Sequence, residues 1–501
     1  MTFAAHSIIV RSLVLAGLAL FLSACTESGG GANPAISANT VTVSGTVGGT
    51  RIVAMNDNDQ IVVEDDTAGR PPSAPGRFPF TLSSLPVGSN LRLFFISNGS
   101  MFPFYLGGTN VFTFNNAGPV DFGFVTMDAG TGRSTPEFPP LNVTPKPENP
   151  NIPPGLTSND LKLESVISGL EFPVGMALAP DGRVFFNERL TGKIRIINPQ
   201  NPQWQLVNTP FCQLSVATNG EQGLLGLTLD PNFAQNHFVY VYYTEAGAAR
   251  NRVVRYTEVS GLCTGQTTIL DTLPVNSFHN GGIIQFGPDG KLYVIIGDAG
   301  NMANSQNLTS LAGKILRVNP DGSAPSDNPF FNNADANAKK VFSFGHRNSY
   351  GFTFHPHTNH LWETENGPQD SDEINRIIAG GNYAWDANQR RGILKDPCCV
   401  DPIAVFFPAP CNPCTIAPTG IIAIPENSTV YPVAYRNNLL FVNFNFGQIR
   451  RLVLTGANLT QLGTQSIAYN GGNGGLLSLM LGADGYVYVS NASAIFKVVS
   501  Q

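Results

Sequence analysis

Asp289-Gly-Lys-Leu-Tyr-Val-Ile-Ile296 is a tight turn running into an unbroken apolar stretch, and the same unit returns along the chain. Its other copies are Asp181-Gly-Arg-Val-Phe-Phe186, Asp230-Pro231 with Phe238-Val-Tyr-Val-Tyr-Tyr243, His357-Thr-Asn-His-Leu-Trp362, Arg436-Asn-Asn-Leu-Leu-Phe-Val442 and Asp484-Gly-Tyr-Val-Tyr-Val489. From each start to the next the intervals are 49, 59, 68, 79 and 48 residues. A short apolar run bounded by turn residues reads as a buried strand. Six such units read as radial repetition, an all-β fold in which residues 158–501 make a six-bladed β-propeller with loop insertions on one face. That arrangement leaves a central channel where a pocket forms. A large sandwich or barrel is the rival, and it leaves the repeated turn-plus-strand unit unexplained.

The remainder of the 501 residues is organised differently. Residues 40–131 alternate in strand fashion, as in Val41-Thr-Val-Ser-Gly-Thr-Val47 and Leu91-Arg-Leu-Phe-Phe-Ile96, and predict a small β-sandwich. Residues 132–157 carry eight prolines and read as a semi-rigid spacer. Charged residues make up 13% of the chain, about half the usual share, against 52 Gly and 37 Pro. This composition suits many short strands joined by turns and argues against long charged helices. A net charge of −6 provides no basic patch for phosphates, so nucleic acid is excluded as an expected partner.

Residues 1–24 read as an address. Arg11 precedes the apolar run Ser12–Leu22, which is too short to span a bilayer of roughly 30 Å. The run ends in Leu22-Ser-Ala-Cys25, which resembles the lipobox of bacterial lipoproteins. The resemblance implies cleavage before Cys25 and lipidation of that cysteine, with residues 25–39 as a flexible tether. Thr26, where an Asp tends to retain such proteins in the inner membrane, makes the outer membrane the expected site. The expectation is therefore an exported protein that meets the membrane through its lipid only. Export leaves Cys212, Cys263, Cys398, Cys399, Cys411 and Cys414, an even number that reads as disulfides in an oxidising compartment. Around Cys398–Cys414 two bridges pinning a Pro-rich loop are expected over a zinc knot, and the spacing leaves the pairing open.

Over residues 160–500 the chain closely resembles the soluble glucose/sorbosone (aldose sugar) dehydrogenases, which carry pyrroloquinoline quinone (PQQ). The resemblance rests on Gly220-Glu-Gln-Gly-Leu-Leu-Gly226, Phe278-His-Asn-Gly-Gly282, Ile296-Gly-Asp298 and Gly345-His-Arg-Asn348. It continues in Glu365-Asn-Gly-Pro-Gln-Asp-Ser-Asp-Glu-Ile-Asn375 and Gly380-Gly-Asn-Tyr383. It implies His279 as the base for the C1 hydroxyl of an aldose, with Asp298 orienting the imidazole. Arg347 would stabilise charge developing on the quinone, Asn348 would hold cofactor or sugar, and Glu221 or Gln222 would contact the sugar. A neutral histidine suits this proton transfer. Calcium is implied twice, once at the carbonyls of Gly367 and Pro368 beside PQQ, and once as a structural ion at Glu373 and Tyr383. Hard oxygen donors suit that ion. The chain contains no haem-attachment motif, so the electron acceptor is a separate molecule.

The family's Arg-x-Arg segment before the last turn is replaced by Gly475 and Leu477, and its cofactor-facing lysine has no counterpart in Glu426–Pro432. Three cations are lost opposite three carboxylates. Two other functions therefore share the same residues. One is a propeller that has lost PQQ and binds carbohydrate or protein. The other is a calcium-dependent lactonase using His279.

Overall fold

The computed structural model describes residues 40–47, 51–56, 61–67, 70–74, 77–97, 100–104, 112–128, 133–137, 143–145, 160–199, 204–367, 372–385, 399–406, 415–471 and 475–501. The leader, Cys25 and its tether, Pro368, Cys398, Cys411 and Cys414 lie outside these residues. Contacts divide the chain into two units, 1–38 and 39–501, and the described residues all belong to the second. Among them, no helix is long and apolar enough to cross a membrane.

The architecture is all-β, and from residue 161 onward it is built of small antiparallel sheets, the construction of a β-propeller. From residue 161 onward the described residues form six sheets. The third consists of Ile284–Phe286, Leu292–Ile296, Lys314–Val318 and Val341–Phe344 in that order. The other sheets follow the same meander, beginning at Pro173–Leu178, Leu224–Leu229, Ser349–Phe354, Pro418–Ala423 and Leu476–Leu481. Every copy of the repeated turn lies between the first and second strands of its sheet. In the last sheet the outer strand comes from the start of this six-sheet region. Leu161–Ser168 pairs antiparallel with Ala494–Ser500, Leu161 opposite Ser500 and Ser168 opposite Ala494.

Strand periodicity explains how the sheets pack. Successive side chains point to opposite faces. Val239, Val241 and Tyr243 meet Phe185 and Ile194 of the preceding sheet, whereas Tyr240 and Tyr242 meet Ile284 and Val294 of the next. The alternation carries on from sheet to sheet until Met480 and Tyr488 of the last join Val184 and Phe186 of the first. With both faces covered, strands such as Leu292–Ile296 and Leu439–Asn443 are buried along their whole length. This is why they read as continuous apolar runs.

The first strands converge on an axis, and glycine permits their approach. A Cβ on Gly226 would collide with the carbonyl of Gly282, and one on Gly420 would come within 2.8 Å of the Leu479 nitrogen. A cavity of about 470 Å³ runs between these strands, lined by Met176, Leu227, Ile284, Phe352, Ile421 and Leu479, one from each sheet.

Residues 40–145 make two further sheets. One orders Phe78–Pro86, Thr40–Val47, Gly118–Asp128 and Arg133–Pro136; the other centres on Asn90–Ser97 and Arg51–Asn56. They share a core of Phe80, Phe95, Phe104, Phe112, Phe114 and Phe122. Arg133–Pro136 and Val143–Pro145 fall within the stretch read from sequence as a spacer, yet both are strands. Both lie at sheet edges, where a proline costs no ladder hydrogen bond.

Cys212 and Cys263 form a disulfide joining two sheets, and Cys399 is also disulfide-bonded, so Cys399 is not a thiolate ligand.

Candidate active site

Residues just before a first strand and just after a second strand emerge at the same end of these antiparallel sheets. Glu221 precedes Leu224–Leu229, His279 precedes Ile284–Phe286, and Arg347 and Asn348 precede Ser349–Phe354. Asp298 follows Leu292–Ile296, and Asn366 follows Leu361–Glu365. Three sheets thereby deliver one cluster.

His279 occupies a left-handed backbone conformation, φ +61°, unusual for a residue with a side chain. Its Nδ1 lies 2.7 Å from Asp298 Oδ1. Asp298 is 1% exposed, and its second oxygen accepts the indole N–H of Trp385 at 2.8 Å. The Gly300 N–H also donates to Oδ1, at 2.7 Å. Burial opposes the Asp298 charge, but the hydrogen bonds from His279, Trp385 and Gly300 outweigh it and hold the carboxyl below its ordinary range. An ionised Asp298 fixes the proton of neutral His279 on Nδ1 and leaves the lone pair on Nε2.

Glu221 Oε2 accepts the backbone N–H of His279 at 2.5 Å and the side-chain amide of Asn348 at 3.2 Å. Asn348 also reaches the Tyr350 hydroxyl at 3.3 Å, and its Oδ1 accepts the Gly281 N–H at 3.3 Å. Burial, reinforced by Glu221, pushes the Tyr350 phenol well up. Arg347 is oriented from behind: Glu365 Oε1 accepts its backbone N–H at 2.8 Å and that of Asn348 at 2.7 Å. Its guanidinium donates to the Asn366 carbonyl at 2.9 Å and lies 5.6 Å over the Trp385 ring. Burial lowers its pKa, against the pull of Asp298, Glu365 and Glu221.

Beside this cluster is a pocket of about 260 Å³, touched by Arg189, Glu221, Tyr350, Asn366, Phe444 and Leu477. Of the two positions where the resemblance lacks arginine, one touches this pocket and the other packs against a residue that does. Leu477 lines the pocket, and a Cβ on Gly475 would collide with the Phe444 ring.

Of the residues singled out from sequence, the structure brings together His279, Asp298, Arg347, Asn348 and Glu221. Gln222 turns elsewhere, its amide donating to the Asn276 carbonyl at 3.1 Å, so the pocket residue of that pair is Glu221. The Gly367 N–H donates to Asp372 at 2.9 Å. Glu373 is buried, and the Tyr383 hydroxyl donates to the Arg376 carbonyl at 2.7 Å and accepts the Ile378 N–H at 2.9 Å. Sequence reading does not single out Trp385, Tyr350 or Arg189, and it marks Glu365 only as the first residue of a motif, with no role. Trp385, one of three tryptophans and two residues past the Gly380–Tyr383 motif, was the nearest signal.

The sheets and this cluster define a propeller-type protein with a histidine–carboxylate pair at an axial pocket. Residues 170–496 match the glucose / sorbosone dehydrogenase family, and the chain belongs to it. Quinoprotein glucose dehydrogenase B of Acinetobacter calcoaceticus is 31% identical over 259 residues, 46% of this chain and 53% of that protein. The PQQ-bound aldose sugar dehydrogenase of Streptomyces coelicolor superposes with a TM-score of 0.57 at 26% identity, covering 68% of this chain and 98% of that one. Human Hedgehog-interacting protein is 32% identical over 216 residues, 36% of this chain and 30% of that protein. Family membership therefore supports sugar dehydrogenase activity with PQQ in general, and the site must carry the rest of the argument.

Proposed function

We propose that the six sheets are the blades of a six-bladed propeller whose axial pocket oxidises an aldose at C1 to the lactone, passing electrons to a separate acceptor. The observation that carries this reading is the His279–Asp298 pair standing beside buried Arg347. His279 Nε2 takes the C1 hydroxyl proton, and Asp298 stabilises the imidazolium that forms. Arg347 presents positive charge to the oxygen that becomes negative, in a site where burial strengthens the interaction. Asn348 and Glu221, bonded to each other, set the position of the sugar. PQQ, when bound, supplies the hydride acceptor.

The donor set fits such a group at its reactive end, where a buried guanidinium, an amide and a histidine base meet. At the opposite wall Leu477 and Phe444 offer packing in place of charge, so the carboxylates are gripped less tightly. The carbonyls of Gly367 and Pro368 would hold the calcium beside PQQ, with Glu373 and Tyr383 for the structural ion. The Cys212–Cys263 bridge supports an oxidising, extracytoplasmic location, and the lipid anchor at Cys25 belongs to the same proposal.

The test is aldose-driven dye reduction by the protein supplied with PQQ and calcium, beside His279→Gln. Turnover that the variant loses, with its Tm and PQQ binding kept, is the expected result. Saturable PQQ binding without turnover on any aldose would overturn it.

A further inference from the structure

Behind Arg347, away from the pocket, three metal-ligating side chains meet at one buried point. The donor atoms of His346, Glu363 and Glu365 lie within 4.8 Å of one another. His346 Nδ1 is 3.3 Å from Glu363 Oε2 and 3.2 Å from Glu365 Oε2. Glu363 and Glu365 are two apart on the strand Leu361–Glu365, so both project from one face toward the loop that carries His346.

Glu363 is the anomaly. It is 0% exposed, and its near polar neighbours, His346 at 3.3 Å and Ser349, make no well-aligned hydrogen bond to either carboxylate oxygen. Buried carboxylates are ordinarily hydrogen-bonded or bound to a metal. Glu365 has one oxygen committed to the N–H groups of Arg347 and Asn348, and its other oxygen points at His346. An imidazolium cancels one of the two negative charges, and without a metal the second must be met by a proton on Glu363, whose carboxyl burial pushes up. A divalent cation with neutral imidazole cancels both.

The outer contacts are also those of a ligand. His346 Nε2 is 2.9 Å from Ser343 Oγ, a partner that can keep the proton on Nε2 and free the Nδ1 lone pair. The ring is stacked on Tyr383 with centroids 4.7 Å apart. Separations of 3.2 and 3.3 Å between donors are those around a tetrahedral ion with bonds of about 2.0–2.1 Å.

We propose that His346, Glu363 and Glu365 hold a first-row divalent cation such as zinc, through His346 Nδ1, Glu365 Oε2 and Glu363 Oε2, one donor atom from each. Imidazole with carboxylates favours such an ion over calcium. The ion clamps the Gly345–Asn348 segment to the strand Leu361–Glu365, and so sets the peptide from which Arg347 and Asn348 project. The proposal does not rest on the dehydrogenase reading, since it concerns binding alone.

The test is elemental analysis of the purified full chain kept in excess calcium, together with melting curves after loading with zinc or cobalt(II). A zinc-selective chelator supplies the stripped sample, and Glu363→Leu supplies a variant of similar volume. The expected result is about one equivalent of first-row metal per chain, absent from the variant, with a Tm that falls on chelation in the wild type only. Cobalt(II) should give the visible bands of a tetrahedral site. Less than a tenth of an equivalent after zinc loading would overturn the proposal. Equal zinc content in wild type and Glu363→Leu would do the same, because the metal would then lie elsewhere.

Discussion

His279 Nδ1 stands 2.7 Å from Asp298 Oδ1, although nineteen residues and two strands separate them. The hairpin from Ile284–Phe286 to Leu292–Ile296 brings the chain back to the end it left, so a base before the first strand meets a carboxylate after the second. Trp385, 87 residues further on, occupies the other carboxylate oxygen. With both oxygens committed, Asp298 has little freedom to turn away from the imidazole.

Asp298→Asn keeps the shape and removes the charge. Turnover should fall by about 10²–10⁴-fold, with a smaller change in KM. The acid stability curve should also change. The folded pKa of Asp298 lies below its ordinary value of 3.8, so its stabilising contribution is present above that value and is lost as pH falls through the folded pKa. Acid melts of the variant should lack that part of the decline below about pH 4. An unchanged kcat would remove the role assigned to Asp298.

Gly297→Ala probes the same hairpin without removing a polar group. A Cβ there would collide with the carbonyl of His279 and come within 2.9 Å of Asn348 Oδ1. Overpacking of this kind costs about 1–3 kcal/mol, and displacing His279 by an ångström is worth about 10²-fold in rate. Thermal melts and steady-state kinetics together check it. Wild-type rates would show that the pair tolerates movement.

Leu477→Arg restores one cation to the pocket wall. Charge-assisted contacts contribute about 1.5–3 kcal/mol, so PQQ affinity should rise about 10- to 100-fold. Titration followed by absorbance measures it. Gly475→Arg should fail to help, because Phe444 already fills the space its side chain would cross.

The Cys212–Cys263 bridge closes a loop of 51 residues between the first two propeller sheets. In the chain-entropy account such a loop is worth about 4 kcal/mol. Cys212→Ser with Cys263→Ser, or reduction of the wild type, should lower Tm by several degrees with turnover retained at room temperature. A Tm insensitive to reductant would place the stability elsewhere.

Local chemistry alone made much of this protein legible in its sequence. Asp-Gly turns and period-two or fully apolar strands depend on neighbouring residues, so the turn repeated in the six sheets from residue 161 onward was visible before any contact was known. His279, Asp298, Arg347 and Asn348 each sit in a short motif at a strand end, and could be marked for the same reason. Tertiary structure decided what lies across the axis. Glu221 reaches Asn348 over 127 residues, a contact that separates it from Gln222 next door. Arg133–Pro136 looked like spacer because proline discourages strands, and only its place at a sheet edge made pairing possible. Trp385 and Glu365 acquired partners, and Glu363 its buried place beside His346, only when the sheets closed around them. Side-chain period is written in adjacent residues, whereas burial and partnership depend on which distant strands come together.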